Sequence, residues 1–343
     1  TILSVNHDFW GTNITYLGYF LLYFGLLAIL FSKNTRFDDL RKQLRKVKAK
    51  KAKLLSVILL IFGLSTQAQT NHSVSDNHEF EMPTIAQLDS IIDANITSVE
   101  QADKFGRLVI QDFDGRMKPV NTYASELLRK LSKYDHYRDY DANQIFLSMH
   151  ESPQLWFNIP IIYLKSKKGD SIRNLIGIET TQKYAALIDF FDDKLNYKLA
   201  PYLDEAYKAQ VPTAIQKDFK ETDQRVNLLY NTLEGRSIKI FPIPEDENNV
   251  WVSPIGFREG KYKLKDSLYT NFINTGFKAY IASLQDGKVS GDFSLSNQYL
   301  DGIKKTQQLQ GKSVMLSEDK INTEILYNKY DIFKKLFSWY MYA

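Results

Sequence analysis

The sequence predicts a membrane-anchored, mainly α chain. An N-terminal transmembrane helix comes first, then a second short membrane or signal-like segment, then a mostly helical α+β domain on the extracytoplasmic side. Three observations carry this expectation. Residues 14–31, ITYLGYFLLYFGLLAILF, hold no charge. Residues 33–53 hold ten Lys and Arg against two acids. From residue 83 onward apolar residues recur at three-and-four spacing, with only short stretches of strand character between.

The first element is residues 1–32. Its uncharged run would span ~27 Å as a helix, about the thickness of the hydrocarbon layer. Trp10, Tyr16 and Tyr19 lie toward one end, where amphipathic rings favour the interface. Gly18 and Gly25 fall roughly on one face and would admit a neighbouring helix. The basic loop, 33–53, is expected on the cytoplasmic side by the positive-inside tendency. Its Phe37, Leu40, Leu44 and Val47 fit a helix lying on the membrane surface, and a solvated basic linker fits equally.

Residues 54–69 begin with the apolar core Leu54–Leu64, which is short for a span. A lysine flank and the ending STQAQ match a signal-like segment better than a stable span. Either way the chain returns outward, so residues after about Gln69 are expected to be extracytoplasmic. Whether it is cut near Ala68–Gln69 stays open.

Residues 70–82 are polar and read as a tether. The domain expected over 83–330 opens with a helix on Ile85, Leu88, Ile92, Ile96 and Val99, with Thr84 as N-cap. RLVIQD, FDG and RMKPV read as strand, turn and return strand. TYASELLRKLSK follows as an amphipathic helix with Asn121 or Thr122 as cap, and Asp141 would cap ANQIFLSMH. Helices are expected in QKYAALIDFFDDKL, LDEAYKAQ and DQRVNLLYNTLEG, and two short strands in SIKIFPIP and NNVWVSP, with Pro242 and Pro244 confining the first to an edge. Three helices close the domain: SLYTNFINTGFKAYIASL, NQYLDGIKKTQQLQ and DKINTEILYNKY. Residues 331–343 look like the approach to a further membrane segment, Lys334 and Lys335 snorkelling beside Trp339, Tyr340 and Tyr342; a buried amphipathic C-terminus is the alternative. The chain opens without Met and closes inside an aromatic run, so it is expected to be a piece of a longer protein.

Composition narrows the chemistry. With no cysteine, disulfide frameworks, zinc–cysteine sites and iron–sulfur clusters on this chain are excluded. The net charge of +4 belongs to the basic loop: outside it stand 34 basic and 38 acidic residues, so no nucleic-acid partner is expected. GxGxxG, P-loop, HExxH and GxSxG patterns are absent, which leaves nucleotide binding and the commonest hydrolase mechanisms without support.

The candidate interaction element is the charged hairpin Asp112, Asp114, Gly115, Arg116 and Lys118. Asp-Gly is a turn dipeptide, and Arg116 and Lys118 are expected to neutralise the two aspartates. An acid/base or cation site there is the weaker reading, and no catalytic or metal residue is assigned. Asp192, Asp193 and Glu245, Asp246, Glu247 are acidic clusters without the spacing of a calcium loop, read as solvated surface. Of five histidines, His7 lies beside the first membrane helix, His72 and His78 lie in the tether, His136 is expected to be exposed, and His150 to sit as an imidazolium at a helix end.

Three stretches carry a family likeness. They are HDFWGTNITYLGYFLLYFGL, LVIQDFDGRMKPVNTYASELLRKLS, and IFPIPEDENNVWVSP followed much later by YNKYDIFKKLFSWYMYA. Together they resemble the fused cytochrome c biogenesis proteins of Bacteroidetes, System II, in which a ResB-like part is joined to a CcsA-like part. The first is similar to the closing membrane helix of the ResB-like part, and the others to the extracytoplasmic insert before the CcsA-like bundle. The resemblance implies a whole protein that moves haem across the membrane and presents it to apocytochrome c. Its implied partners are apocytochrome c, a thiol-reducing partner, the CcsA-like membrane bundle downstream and the lipid bilayer. It implies no haem ligand here: the family's tryptophan-rich WWD segment is missing, and Trp10, Trp156, Trp251 and Trp339 are scattered. His7 is read as an interfacial polar residue, with a haem ligand or gate as the weaker reading. The expected role of this segment is therefore a scaffold or partner-binding domain at the inner membrane. A tethered envelope binding protein unrelated to haem is the alternative.

Overall fold

The computed structural model describes residues 83–165, 170–260, 262–330, 336 and 339–341. The expected transmembrane helix, basic loop, second apolar segment and tether lie outside the described residues. The chain divides into two units, Thr1–Phe80 and Glu81–Ala343, with the boundary inside the expected tether. Among the described residues, no helix is long and apolar enough to cross a membrane.

Among its described residues the second unit is mostly helical, with four small antiparallel ladders. Helix α1 (Ile85–Asn95) starts at Thr84, which closes a capping box with Gln87. The single helix expected here is in fact two: α1 stops, and Ser98 caps a new helix, α2 (Val99–Gly106). Tertiary partners claim the backbone at the break. Lys288 Nζ donates to the Asn95 carbonyl at 2.6 Å, and Gln144 Nε2 to the Thr97 carbonyl at 2.8 Å.

Strands β1 (Val109–Gln111) and β2 (Met117–Pro119) pair in the register Val109↔Pro119. Helix α3 (Val120–Ser132) leaves β2 directly, with Pro119 at its N-cap and no side-chain cap. Asn121 and Thr122, expected as caps, instead both accept from Asn328 Nδ2. The short ladder β3 (His136–Tyr137) and β4 (Tyr140–Asp141) follows. Asp141 then caps α4 (Ala142–Glu151) in a full capping box. Helix α5 (Pro153–Asn158) leads to β5 (Ile162–Tyr163), and α6 (Asp170–Ile176) to β6 (Tyr184–Ala185).

Residues 182–195, expected as a helix, are not one. They hold β6, paired with β5 through Ile162↔Ala185, then a tight 3₁₀ turn at Ile188–Phe190 and a bridge from Phe191 to Tyr197. The apolar spacing is real, but the carbonyls a helix would use are taken elsewhere. Arg173 Nε donates to the Gln182 carbonyl at 2.6 Å, and Leu164 N–H to that of Lys183 at 2.9 Å.

Helix α7 (Ala200–Lys208) packs on α8 (Ala214–Leu233), whose start Thr213 closes another capping box. Strands β7 (Phe241–Pro242) and β8 (Trp251–Val252) form a two-stranded ladder, which leaves Pro242 at an edge. Helix α9 (Pro254–Glu259) precedes the long pair α10 (Ser267–Ser290) and α11 (Ser294–Gln310), packed together after the left-handed Gly291, and α12 (Glu318–Tyr330) follows. Beyond it Leu336, Trp339, Tyr340 and Met341 are helical and exposed.

A continuous core joins α1–α4 to α8, α10 and α11, with Phe105 stacked among Phe146, Phe277 and Tyr280. Two buried glutamines do the work of missing strands. Gln307 of α11 accepts from Val109 N–H and donates to the carbonyls of Val109 and Ile240. Gln111 accepts from Trp251 N–H and donates to the Asn249 carbonyl. The β1–β2 hairpin is thereby tied to α11 and to the β7–β8 ladder by satisfied polar groups.

Candidate functional site

The candidate site is the β1–β2 hairpin and its surroundings. Its turn forms because Gly115 takes φ 84°, a conformation that is cheap only without a Cβ, with nothing within 4 Å of where one would lie. Asp112 organises the turn. Its Oδ1 accepts from the backbone N–H groups of Asp114 (2.9 Å) and Arg116 (3.0 Å).

The expected charge pairing is met at Lys118 and Asp112 but not at Arg116. Lys118 is buried, and its Nζ sits between Asp112 Oδ2 at 2.6 Å and Glu126 Oε2 at 2.8 Å. Burial is the largest single effect and opposes charge on both Lys118 and Asp112, but it is outweighed by the sum of their pairing, the Glu126 carboxylate beside the lysine, and the turn N–H groups of Arg116 and Asp114 on the aspartate. The lysine is held above its ordinary range and the aspartate below. Arg116 does not neutralise Asp114; it reaches across to Glu324 of α12 at 2.8 Å. Asp114 stays exposed at the tip beside Phe113, which is 58% exposed. Lys239 Nζ lies 4.9 Å from the Phe113 ring centre. Of the five residues, Asp112 and Lys118 pair at the base of the turn, Asp114 and Gly115 form its exposed tip beside Phe113, and Arg116 turns away to α12.

Sequence reasoning missed Glu126, Gln111 and Gln307 as supports. Glu126 had one available signal: as the acid of the first turns after β2, it returns toward the lysine that precedes the helix. A cavity of about 50 Å³ lies beside Asp112, Tyr123 and Glu126, the size of a few water molecules. Among the described residues no group of three or more His, Asp or Glu is placed to hold a metal ion.

Two of the five histidines lie among the described residues. His136 is exposed, as expected, and lines a groove of about 190 Å³, below the ~300–1,000 Å³ of usual cofactor sites. His150 departs from the expected imidazolium. Its ring lies edge-on between Phe146 and Phe277, Nδ1 donates to the Phe146 carbonyl at 2.8 Å, and Nε2 is enclosed. His7, His72 and His78 lie outside the described residues. Asp192 and Asp246 organise turns by accepting backbone N–H groups at Lys194, Asn196, Asn248 and Val250, as surface residues do.

Desolvation lowers the His150 pKa from 6.5 to about 4. A depressed folded value means stability that is present above pH 6.5 and lost as pH falls toward 4, because the unfolded chain takes up the proton first. The full loss from this group is about 3 kcal/mol. Neighbouring Glu151 works the other way: burial raises its pKa against the pull of Lys288. Urea unfolding across this range is expected to show falling stability with falling pH, with a clearly flatter profile in His150→Phe. An unchanged profile would contradict the enclosed, neutral ring.

What the fold and the hairpin define is a helical α+β domain that presents a rigid, charged turn. No protein-family model matches the chain. It is 30% identical over 352 aligned positions to Protein NrfI of Wolinella succinogenes, a match taking in 99% of this chain and 35% of the relative. The chain thus spans about a third of that relative's length.

Proposed function

We propose that the chain is part of a membrane-bound cytochrome c maturation protein, in which residues 83–330 are an extracytoplasmic scaffold. The observation that carries this reading is the identity to Protein NrfI, which runs along nearly the whole chain and is consistent with a cytochrome c biogenesis protein. The likeness of the three sequence stretches to the fused ResB/CcsA-type proteins supports it. The second of those stretches coincides with β1, its turn, β2 and α3, one contiguous folded unit. Haem handling would then fall to another part of the full protein, a CcsA-like bundle. This domain positions apocytochrome c or its thiol-reducing partner against that bundle. Sidedness follows from the charge of residues 33–53, with the domain outside the cytoplasm of the inner membrane.

The exposed tip is the part of the hairpin that a partner would touch. The paired substitution Phe113→Ser and Asp114→Lys changes that tip while leaving Asp112 and Lys118 in place. In the full-length protein it is expected to lower haem-stained c-type cytochromes several-fold at unchanged protein level. Parental staining would remove the hairpin tip from this role.

A further inference from the structure

A second surface stands apart from the hairpin tip. A groove of about 190 Å³ is lined by Tyr134, His136, Tyr137, Tyr184, Pro160 and Ile161, together with Ser132 and with Arg138, whose guanidinium is held by Asp93 at 2.9 Å. Ile161 is buried beneath it, while Tyr134 is 56% exposed and its ring lies 5.5 Å from that of His136. Two tyrosines are pinned at their hydroxyls: Tyr137 donates to Asp89 at 2.9 Å and Tyr184 to the Ser132 carbonyl at 3.3 Å. These two rings are held in place and their hydroxyls are committed. Such a groove offers ring surface but few donors or acceptors, so it suits an extended segment whose own backbone demands little. Proline, with no N–H and a preset extended conformation, is the residue that packs this way on aromatic rings.

A cation stands beside the groove. Lys133 stands between the lining residues Ser132 and Tyr134 and ends α3 at φ 74°, where glycine is the cheaper residue. Its Nζ lies 5.7 Å from the ring centre of Tyr163, which is in edge contact with Tyr184 at the end of the groove. Arg225 lies over the same ring at 5.8 Å. Lys165 and Arg225 both use Glu221 as an ion partner, whereas among the described residues no carboxylate is in ion-pair contact with Lys133. Burial and then Arg225, with a smaller push from Lys165, hold its pKa below the ordinary lysine value against the opposing pull of Glu221. A long cation is kept in a conformation that disfavours it, beside like charges and without an acid of its own.

We propose that this groove binds an extended, proline-bearing acidic segment of a partner protein, with prolines on the tyrosine rings and a carboxylate on Lys133. The inference goes beyond cytochrome maturation and holds whether or not that reading does. The test uses the 343-residue chain purified in non-ionic detergent and fluorescein-labelled peptides of alternating Pro–Glu, Pro–Gln, Pro–Lys and Gly–Glu, read by anisotropy at low ionic strength. Pro–Glu is expected to bind saturably and more tightly than the other three. Lys133→Gly is expected to raise the thermal midpoint, since it relieves the left-handed backbone, yet to weaken Pro–Glu about fivefold with little effect on Pro–Gln. Tyr134→Ser is expected to weaken both proline peptides. Absence of saturable Pro–Glu binding, equal binding of Pro–Lys or Gly–Glu, or undiminished Pro–Glu affinity in Lys133→Gly would each overturn the proposal.

Discussion

Arg173→Met is expected to destabilise the described domain by about 4 kcal/mol. The guanidinium is buried and donates to three backbone carbonyls: Gln182 at 2.6 Å, Lys165 at 3.0 Å and Leu164 at 3.1 Å. Its one acid, Asp170, lies at 3.4 Å and is half exposed, so backbone oxygens carry most of the compensation. Methionine fills the volume and leaves those carbonyls facing an apolar side chain. The loss falls on one junction, because the same contacts hold the β5–β6 ladder and divert residues 182–195 from a helix. Arg173→Lys keeps the charge, but a single ammonium lacks the planar fork that reaches several carbonyls at once, so it should recover less than half of the loss. Urea unfolding of the purified chain measures both variants. A cost below about 1 kcal/mol for Arg173→Met would place the clamp outside the fold's essential contacts.

Lys118→Met comes next, at about 3 kcal/mol. The substitution leaves Asp112 and Glu126 facing each other without the cation that lies within 2.8 Å of both. Asp112 is tied to the turn by its backbone hydrogen bonds, so it cannot simply swing into solvent. Removing one acid then helps. Asp112→Asn, whose amide oxygen still accepts the turn N–H groups, should cost less in the Lys118→Met background than in the parent, and that difference is the coupling. Strict additivity would mean that the buried lysine and the aspartate do not act as a pair.

How far these features were legible depends on how local their causes are. The hairpin was readable because Asp-Gly between two apolar runs dictates a turn through Gly115 itself, and Thr84 and Asp141 cap their helices through residues three positions away. The closing helices were readable because their periodicity meets no competing partner. Failures came where a side chain from another element claimed backbone groups: Lys288 and Gln144 at the α1–α2 break, from 193 and 47 residues away, and Arg173 at residues 182–195, from 9 residues before Gln182. Apolar periodicity announces none of these donors.

The site was half legible for the same reason. Its residues lay together in sequence, but Lys118 turned inward toward Glu126 on α3, and Arg116 outward toward Glu324 on α12. His150 was misjudged because helix-end electrostatics is a weak term against enclosure between Phe146 and Phe277.

The central claim, that this domain serves cytochrome c maturation, meets its most direct test in a deletion. Residues 83–330 are replaced by a flexible linker in the full-length protein, keeping everything on both sides, and covalently bound haem is measured in the c-type cytochromes of the cell. The account predicts loss of haem-stained c-type cytochromes while the shortened protein persists in the membrane. Cytochromes at the parental level, with the shortened protein present, would contradict it.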